Sequence, residues 1–120
     1  MYRRRGWHGR GGRIERFQVA ALLLLLRERK AHGYDLLERL PELTGEERID
    51  VGNLYRVLRA LEEEGIVSSE WSADLPGPAK RTYELTEEGR RLLDRWAESL
   101  REAKGVIAGF IDRYENDEGR

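Results

Sequence analysis

Asp50-Val51-Gly52-Asn53-Leu54-Tyr55-Arg56-Val57-Leu58-Arg59-Ala60-Leu61-Glu62-Glu63-Glu64-Gly65-Ile66-Val67 is the stretch on which the reading of this chain turns. Asp50 is a good helix N-cap, because its carboxylate can accept from a backbone N–H of the first turn, and Asn53 stands three residues on. Val51, Leu54, Leu58 and Leu61, joined by Val57, recur at helical spacing and predict one buried face. Gly65 sits where a C′ glycine ends a helix. Asn53, Arg56 and Arg59 fall away from the apolar stripe. The expected helix therefore buries one face and presents on the other hydrogen-bond donors suited to base edges and phosphates.

Downstream, Ile66 to Ser72 reads as a strand and Lys80 to Leu85 as its partner. Asp74-Leu75-Pro76-Gly77-Pro78 supplies the turn between them. Thr86 then caps a long last helix, whose Glu87 and Glu88 suit the positive helix N-terminus. Leu93, Trp96, Leu100, Ala103, Ile107, Phe110 and Tyr114 are spaced as a strict heptad seam. At 1.5 Å per residue the helix is roughly 40 Å long, more than so small a domain can bury within itself. The seam predicts packing against a second subunit. Gly105 and Gly109 weaken the helix locally and would permit close approach or a bend.

Upstream, Thr44 to Arg48 is a charged loop. A helix from about Tyr34 precedes it, with Leu36, Leu37, Leu40 and Leu43 as its buried face and Pro41 disturbing its end. Lys30 to Gly33 reads as a turn. Ile14 to Arg29 is a first helix, with Phe17, Ala20, Ala21, Leu24 and Leu25 on the helical period. Leu22, Leu23 and Leu26 make it apolar nearly all round, as for a helix central to a core or in a subunit contact. Met1 to Arg13 has four glycines and no apolar periodicity, and reads as a flexible basic arm. The expected organisation is an arm over 1–13, a domain over 14–85 and a dimerisation helix over 86–116. The fold class is mainly α with a small β-hairpin, a winged helix-turn-helix plus a long C-terminal helix.

At 120 residues the chain suits a single core. Its net charge of −1 gives no global pull toward DNA, so any nucleic-acid surface must come from local clustering. The mean hydropathy of −0.73 fits a soluble chain. The absence of cysteine removes disulfides, thiolate metal sites and cysteine nucleophiles, and suits a cytoplasmic location. The apolar run Val19 to Leu26 is well short of the ~20 residues that span a bilayer, so no membrane partner is expected. No nucleophile–base pair with a third member and no phosphate-cradling loop is present. Neither an enzyme nor a cofactor is expected.

Three motifs sharpen this. His32-Gly33-Tyr34 opens the second helix, Asn53 to Val67 forms the third and enters the wing, and Gly77-Pro78-Ala79-Lys80-Arg81-Thr82-Tyr83-Glu84-Leu85-Thr86-Glu87-Glu88-Gly89 closes it. In this order they resemble the PadR family of bacterial transcriptional regulators, over roughly Phe17 to Trp96, and the length resembles the subgroup with one long C-terminal helix. The resemblance implies a homodimeric repressor on double-stranded DNA, responsive to small planar aromatic effectors. Asn53 would pair with adenine and Arg56 with guanine, and Arg59 would meet phosphate. Tyr34 and Tyr55 would bond phosphate oxygens, and Lys80 and Arg81 would contact backbone or minor groove. The wing's Lys80-Arg81-Thr82 is shorter than the basic run of many relatives, which implies fewer phosphate contacts.

Rival readings stand beside these. Tyr55 serves equally as packing, and Arg56 and Arg59 could pair with Glu62 and Glu63 at helical spacing. His32 reads as a turn or cap residue rather than a metal ligand. Six arginines against one glutamate between Met1 and Arg16, Arg3, Arg4 and Arg5 among them, suit a DNA-following arm or a tail without a role. Trp96, with Phe17 and Leu100, is either an effector pocket on the seam or plain interface core. A winged-helix protein-interaction module and a constitutive DNA binder without effector are the alternatives to a ligand-responsive repressor.

Overall fold

The structure is a computed structural model that describes residues 9–45, 49–72 and 80–118. Along the chain run α1 (Gly9–Glu28), β1 (Ala31–His32), α2 (Gly33–Thr44), α3 (Val51–Glu63), β2 (Val67–Ser72), β3 (Lys80–Leu85) and α4 (Glu87–Glu118). The three strands form one antiparallel sheet in the order β1-β3-β2. This is the winged helix-turn-helix plan, with α4 projecting from it. The long axis of the molecule is 66 Å against 32 and 24 Å for the others.

The core forms where α1, α2 and α3 meet the root of the hairpin. Leu22, Leu23, Leu36, Leu40, Leu58 and Val67 are its most deeply buried large side chains. The nearly all-round apolar face of α1 is thus explained by a central position: Ala20 to Leu23, Leu25 and Leu26 are buried. On α3 the stripe Leu54, Leu58 and Leu61 is buried and Val57 partly so.

Several expectations are corrected. Helix α1 begins at Gly9, so residues 9–13 are helical and not arm. Glycine costs about 1 kcal/mol in a helix but keeps its N–H, so a helix nucleated over the leucines extends through it. Residues 1–8, with Arg3, Arg4 and Arg5, lie outside the described residues, as does the turn Asp74 to Pro78. Val51, placed in the buried stripe, is 53% exposed because it opens α3 before the helix meets the core. Leu43 is 38% exposed in the last turn of α2, and Leu37 is only half-buried. Phe17 is also surface-lying on α1. The expected turn Lys30 to Gly33 contains β1, whose Ala31 and His32 pair with Tyr83 and Thr82. Two residues are too few to show strand periodicity.

The joints that orient the hairpin are closely defined. Gly65 has φ 80°. Its N–H donates to the Glu62 carbonyl at 3.0 Å, and that of Ile66 to the Leu61 carbonyl at 2.9 Å. This is the paired bonding of a Schellman C-cap. Gly65→Ala would force a side chain into the left-handed region. A loss of about 1–2 kcal/mol is expected in a urea melt, and an unchanged midpoint would show that the cap relaxes without strain. At the other root, Thr86 caps α4: its hydroxyl accepts from the Gly89 N–H at 3.0 Å and faces the Gly65 and Ile66 carbonyls at 2.6 and 2.9 Å. The hairpin is thereby tied to α3 on one side and α4 on the other.

Candidate nucleic-acid interface

Asp50 acts as the N-cap of α3, its carboxylate accepting from the Asn53 N–H at 3.3 Å. Because the leucine stripe locks the opposite face into the core, Asn53, Tyr55, Arg56 and Arg59 are held outward or at the margin. Arg56 donates from Nη1 to Asn53 Oδ1 at 3.3 Å, which couples the two side chains expected to read bases.

The rival pairing of Arg56 and Arg59 with Glu62 and Glu63 is not formed. Among the described residues the ion pairs join Arg39 to Glu28, Arg91 to Glu87 and Glu88, and Arg101 to Glu98. Arg56, Arg59, Lys80 and Arg81 take part in none of them. Glu62 is instead engaged by the hairpin, accepting from Ser69 Oγ at 2.7 Å. Ser69 in turn accepts from Arg81 Nε at 2.7 Å. The chain Glu62–Ser69–Arg81 therefore links α3 to both strands of the wing.

Arg81 also lies over the Trp71 ring, 4.8 Å from its centroid, as expected for residues paired across β2 and β3. This stacking keeps the guanidinium charge while limiting its motion. Tyr34, Tyr55, Lys80 and Arg81 share one open cleft of about 410 Å³, completed by His32, Gly33, Trp71 and Tyr83. Four of the expected contact residues, drawn from α2, α3 and β3, are thus brought together. Tyr34 and Trp71 are 63% and 65% exposed, so each presents a ring and a polar edge to an incoming partner. Tyr55 serves both readings: it is at the surface, yet a side chain on Gly33 would meet its hydroxyl at 2.5 Å. The absence of a side chain at Gly33 is what lets α2 open against Tyr55.

His32 is not a side-chain cap. It stands at the N-cap of α2 without a capping bond, and its Nδ1 lies 3.2 Å from Thr82 Oγ1 within the sheet. Among the described residues no group of His, Asp or Glu is placed to hold a metal, and no helix is long and apolar enough to cross a membrane. Burial holds the Tyr83 phenol above its ordinary value, with the Arg81 guanidinium pulling the other way, so it remains a neutral donor at the base of the cleft.

Sequence reasoning missed Trp71, Tyr83, Ser69 and Glu62. The register Trp71↔Arg81 and Ser69↔Tyr83 carries this information, but it depends on where the turn lies, which composition alone does not fix. Trp96, Phe17 and Leu100 are not gathered into the cleft. Trp96 is half-buried, while Phe17 and Leu100 lie at the surface on α1 and α4. Beyond Leu93, which is buried, the seam residues Leu100, Ala103, Ile107, Phe110 and Tyr114 are exposed within the single chain.

Residues 22–95 match the model of the transcriptional regulator PadR-like family. No curated protein matches the chain. Among solved structures, the conserved protein of unknown function TM0937, described as a potential transcriptional factor, is 34% identical. The match covers 94% of this chain and 99% of that one, with a TM-score of 0.80. A PadR family transcriptional regulator from Eggerthella lenta is 28% identical over 82% of this chain and 84% of its own, with a TM-score of 0.70. Bacillus subtilis PadR, solved in complex with operator DNA, is 28% identical over 68% of this chain and 46% of its own, with a TM-score of 0.61. The family match takes in α2, α3, the hairpin and the start of α4, the elements that build the cleft and its cationic rim. On this match the chain belongs to the PadR-like family of transcriptional regulators.

Proposed function

We propose that this protein is a ligand-responsive repressor that binds a pseudo-palindromic operator as a homodimer. The observation that carries the DNA-binding reading is the cleft that joins Lys80 and Arg81 to Tyr34 and Tyr55, with Arg56 and Arg59 exposed on α3 and none of the four cations in an ion pair among the described residues. Cations in no ion pair among the described residues, on a chain of net charge −1, are suited to phosphate. The known operator complex of Bacillus subtilis PadR supports the same reading.

In this reading α3 enters the major groove, Asn53 and Arg56 meet base edges, and Arg59 meets phosphate. Lys80 and Arg81 follow the backbone from the wing, and the Glu62–Ser69–Arg81 chain sets the angle between wing and reading helix. Residues Arg3, Arg4 and Arg5 add phosphate contacts from the arm.

Dimerisation runs through α4. Val106 and Ile111 are exposed beside Ile107, Phe110 and Tyr114, so the apolar stripe is wider than a two-helix seam. A stripe of that width packs between two helices of a partner. Trp96, where the seam leaves the domain, is the proposed place for a planar aromatic effector at the subunit contact, with Phe17 and Leu100 alongside. Half-sites about one DNA turn, ~10 bp, apart are expected.

Footprinting of the upstream region of its own gene tests the operator, and absence of a protected site there and at adjacent genes counts against it. Arg56→Ala is expected to lower discrimination between cognate and mutated half-sites about 10- to 100-fold. Arg81→Ala is expected to weaken all duplexes alike and to flatten the salt slope by about one unit per subunit. Equal loss of discrimination in both variants contradicts the assignment. Salt-insensitive or absent binding together with a stable hetero-complex favours an interaction module instead.

A further inference from the structure

Glu62 is a carboxylate with arginines nearby and an ion pair to none of them. It lines one pocket of about 220 Å³ together with Tyr55, Arg59, Arg81 and Tyr83. Arg59 stands one turn before it on α3, a spacing at which helical ion pairs form. Arg81 lines the same pocket from β3. Yet among the described residues neither arginine takes part in an ion pair. Coulombic attraction alone favours one, so something else holds the charges apart.

A neutral hydroxyl stands between them. Ser69 Oγ donates to Glu62 Oε2 at 2.7 Å and accepts from Arg81 Nε at 2.7 Å. Both bonds are short, as is usual when one partner is charged. A single small side chain thus occupies the carboxylate and one guanidinium nitrogen. The bond spends Nε and leaves the two Nη groups out of it. Those are the groups that a phosphate can meet as a fork. Trp71 lies 4.8 Å from the same guanidinium and holds it by its face, not its edge.

Loss of the hydroxyl would undo this arrangement. Glu62 would be a half-buried carboxylate without its bond, beside cations able to replace it. A pair with either arginine removes one cation from the surface offered to DNA. On a chain of net charge −1 each local cation weighs heavily.

We propose that Ser69 is a positioning residue for DNA binding: its hydroxyl keeps Glu62 from capturing Arg59 or Arg81, and Trp71 steadies the guanidinium so freed. This role rests on the DNA-binding reading above. It differs from a simple brace between wing and α3 because it depends on the charge of Glu62.

The full-length protein is titrated with a mixed-sequence DNA duplex over a range of salt, since phosphate contacts need no cognate site. Ser69→Ala is expected to bind about 10-fold more weakly and to flatten the salt slope by about one unit per subunit. Ser69→Thr, which keeps the hydroxyl, is expected to bind as the native protein does. Ser69→Val, matched to it in shape, is expected to repeat the Ser69→Ala result, which separates the hydroxyl from packing. Glu62→Gln/Ser69→Ala is expected to bind as tightly as Glu62→Gln alone, because a neutral carboxamide captures no arginine. If the double variant is instead weaker than Glu62→Gln by the factor that separates Ser69→Ala from the native protein, Ser69 is only a brace and the proposal is overturned. Native affinity in Ser69→Ala or Ser69→Val overturns it as well.

Trp71 is 65% exposed, so Trp71→Ala spares the core. It is expected to weaken binding about 3-fold in the native background and not at all in Arg81→Ala. A loss that persists there places Trp71 on the DNA itself and overturns its positioning role. Without DNA, heteronuclear spectra of the arginine side chains read the pairing directly. Ser69→Ala is expected to slow hydrogen exchange at the Arg59 or Arg81 guanidinium, and Glu62→Gln to reverse this. Unchanged exchange overturns the capture by Glu62. The expected exchange in a protein that binds no duplex even at low salt supports the capture and overturns the DNA-binding reading.

Discussion

Phe110→Asp is expected to convert the proposed dimer to a monomer of 14.0 kDa and to lower operator affinity about 100- to 10,000-fold. Phe110 is 71% exposed on α4, and Val106, Ile107, Ile111 and Tyr114 are exposed around it. A contiguous apolar patch of this kind marks a contact surface. A carboxylate at its centre would be buried unpaired in the dimer, which costs far more than the apolar contact it replaces. The loss at the operator follows from valency. One reading helix makes few base contacts, and joining two of them turns the second encounter into an intramolecular one. Because Phe110 lies far along α4 from the core, the helical circular dichroism is expected to persist. Glu102→Ala, on the opposite side of the heptad, is the control and should leave both mass and affinity unchanged. A dimer retained at micromolar concentration, or a monomer with native operator affinity, contradicts the assignment of the seam.

How much of this was legible beforehand divides by the range of the interaction. Local signals were read correctly: the Asp50 cap, the Leu54, Leu58 and Leu61 stripe, the Gly65 terminus and the Thr86 cap all follow from hydrogen bonds within a few residues. The element order, and with it the winged plan, followed from these. Misplacements came where the chain's surroundings decide. Val51 and Leu43 fit the helical period, but each sits in a terminal turn that the core does not reach. Strand β1 exists only because β3 lies beside it. The cleft was half visible: Tyr34, Tyr55, Lys80 and Arg81 were named, whereas Trp71 and the Glu62–Ser69–Arg81 link required the hairpin register.

The joint between hairpin and α4 carries the second large effect. Gly89→Ala is expected to destabilise the protein by about 2–3 kcal/mol. By helix propensity alone the change should stabilise, since alanine in a helix is favoured over glycine by about 1 kcal/mol. Packing reverses the sign. A Cβ at Gly89 would collide with the Ile66 carbonyl oxygen and stand 2.6 Å from Leu85 Cδ1. The leucine methyl could rotate away, but the carbonyl is backbone and already committed. It accepts from the Thr86 N–H at 3.1 Å and faces the Thr86 hydroxyl at 2.9 Å, and Thr86 in turn caps α4 through the Gly89 N–H. Relief of the clash therefore means breaking the cap or lifting the hairpin root off α4. Gly105→Ala is the matched comparison: nothing lies within 4 Å of its Cβ position, and it falls on the outer side of the heptad opposite the seam. There propensity acts alone, and a gain of about 1 kcal/mol is expected. Opposite shifts of the thermal midpoint, downward by roughly 10 °C for Gly89→Ala and upward by a few degrees for Gly105→Ala, would establish that the joint is rigid. A Gly89→Ala protein as stable as the native one would instead show that hairpin and α4 move apart at little cost. In the proposed dimer the wing's angle to the two-fold axis would then be soft, and the spacing of the two reading helices could not be set by α4 alone.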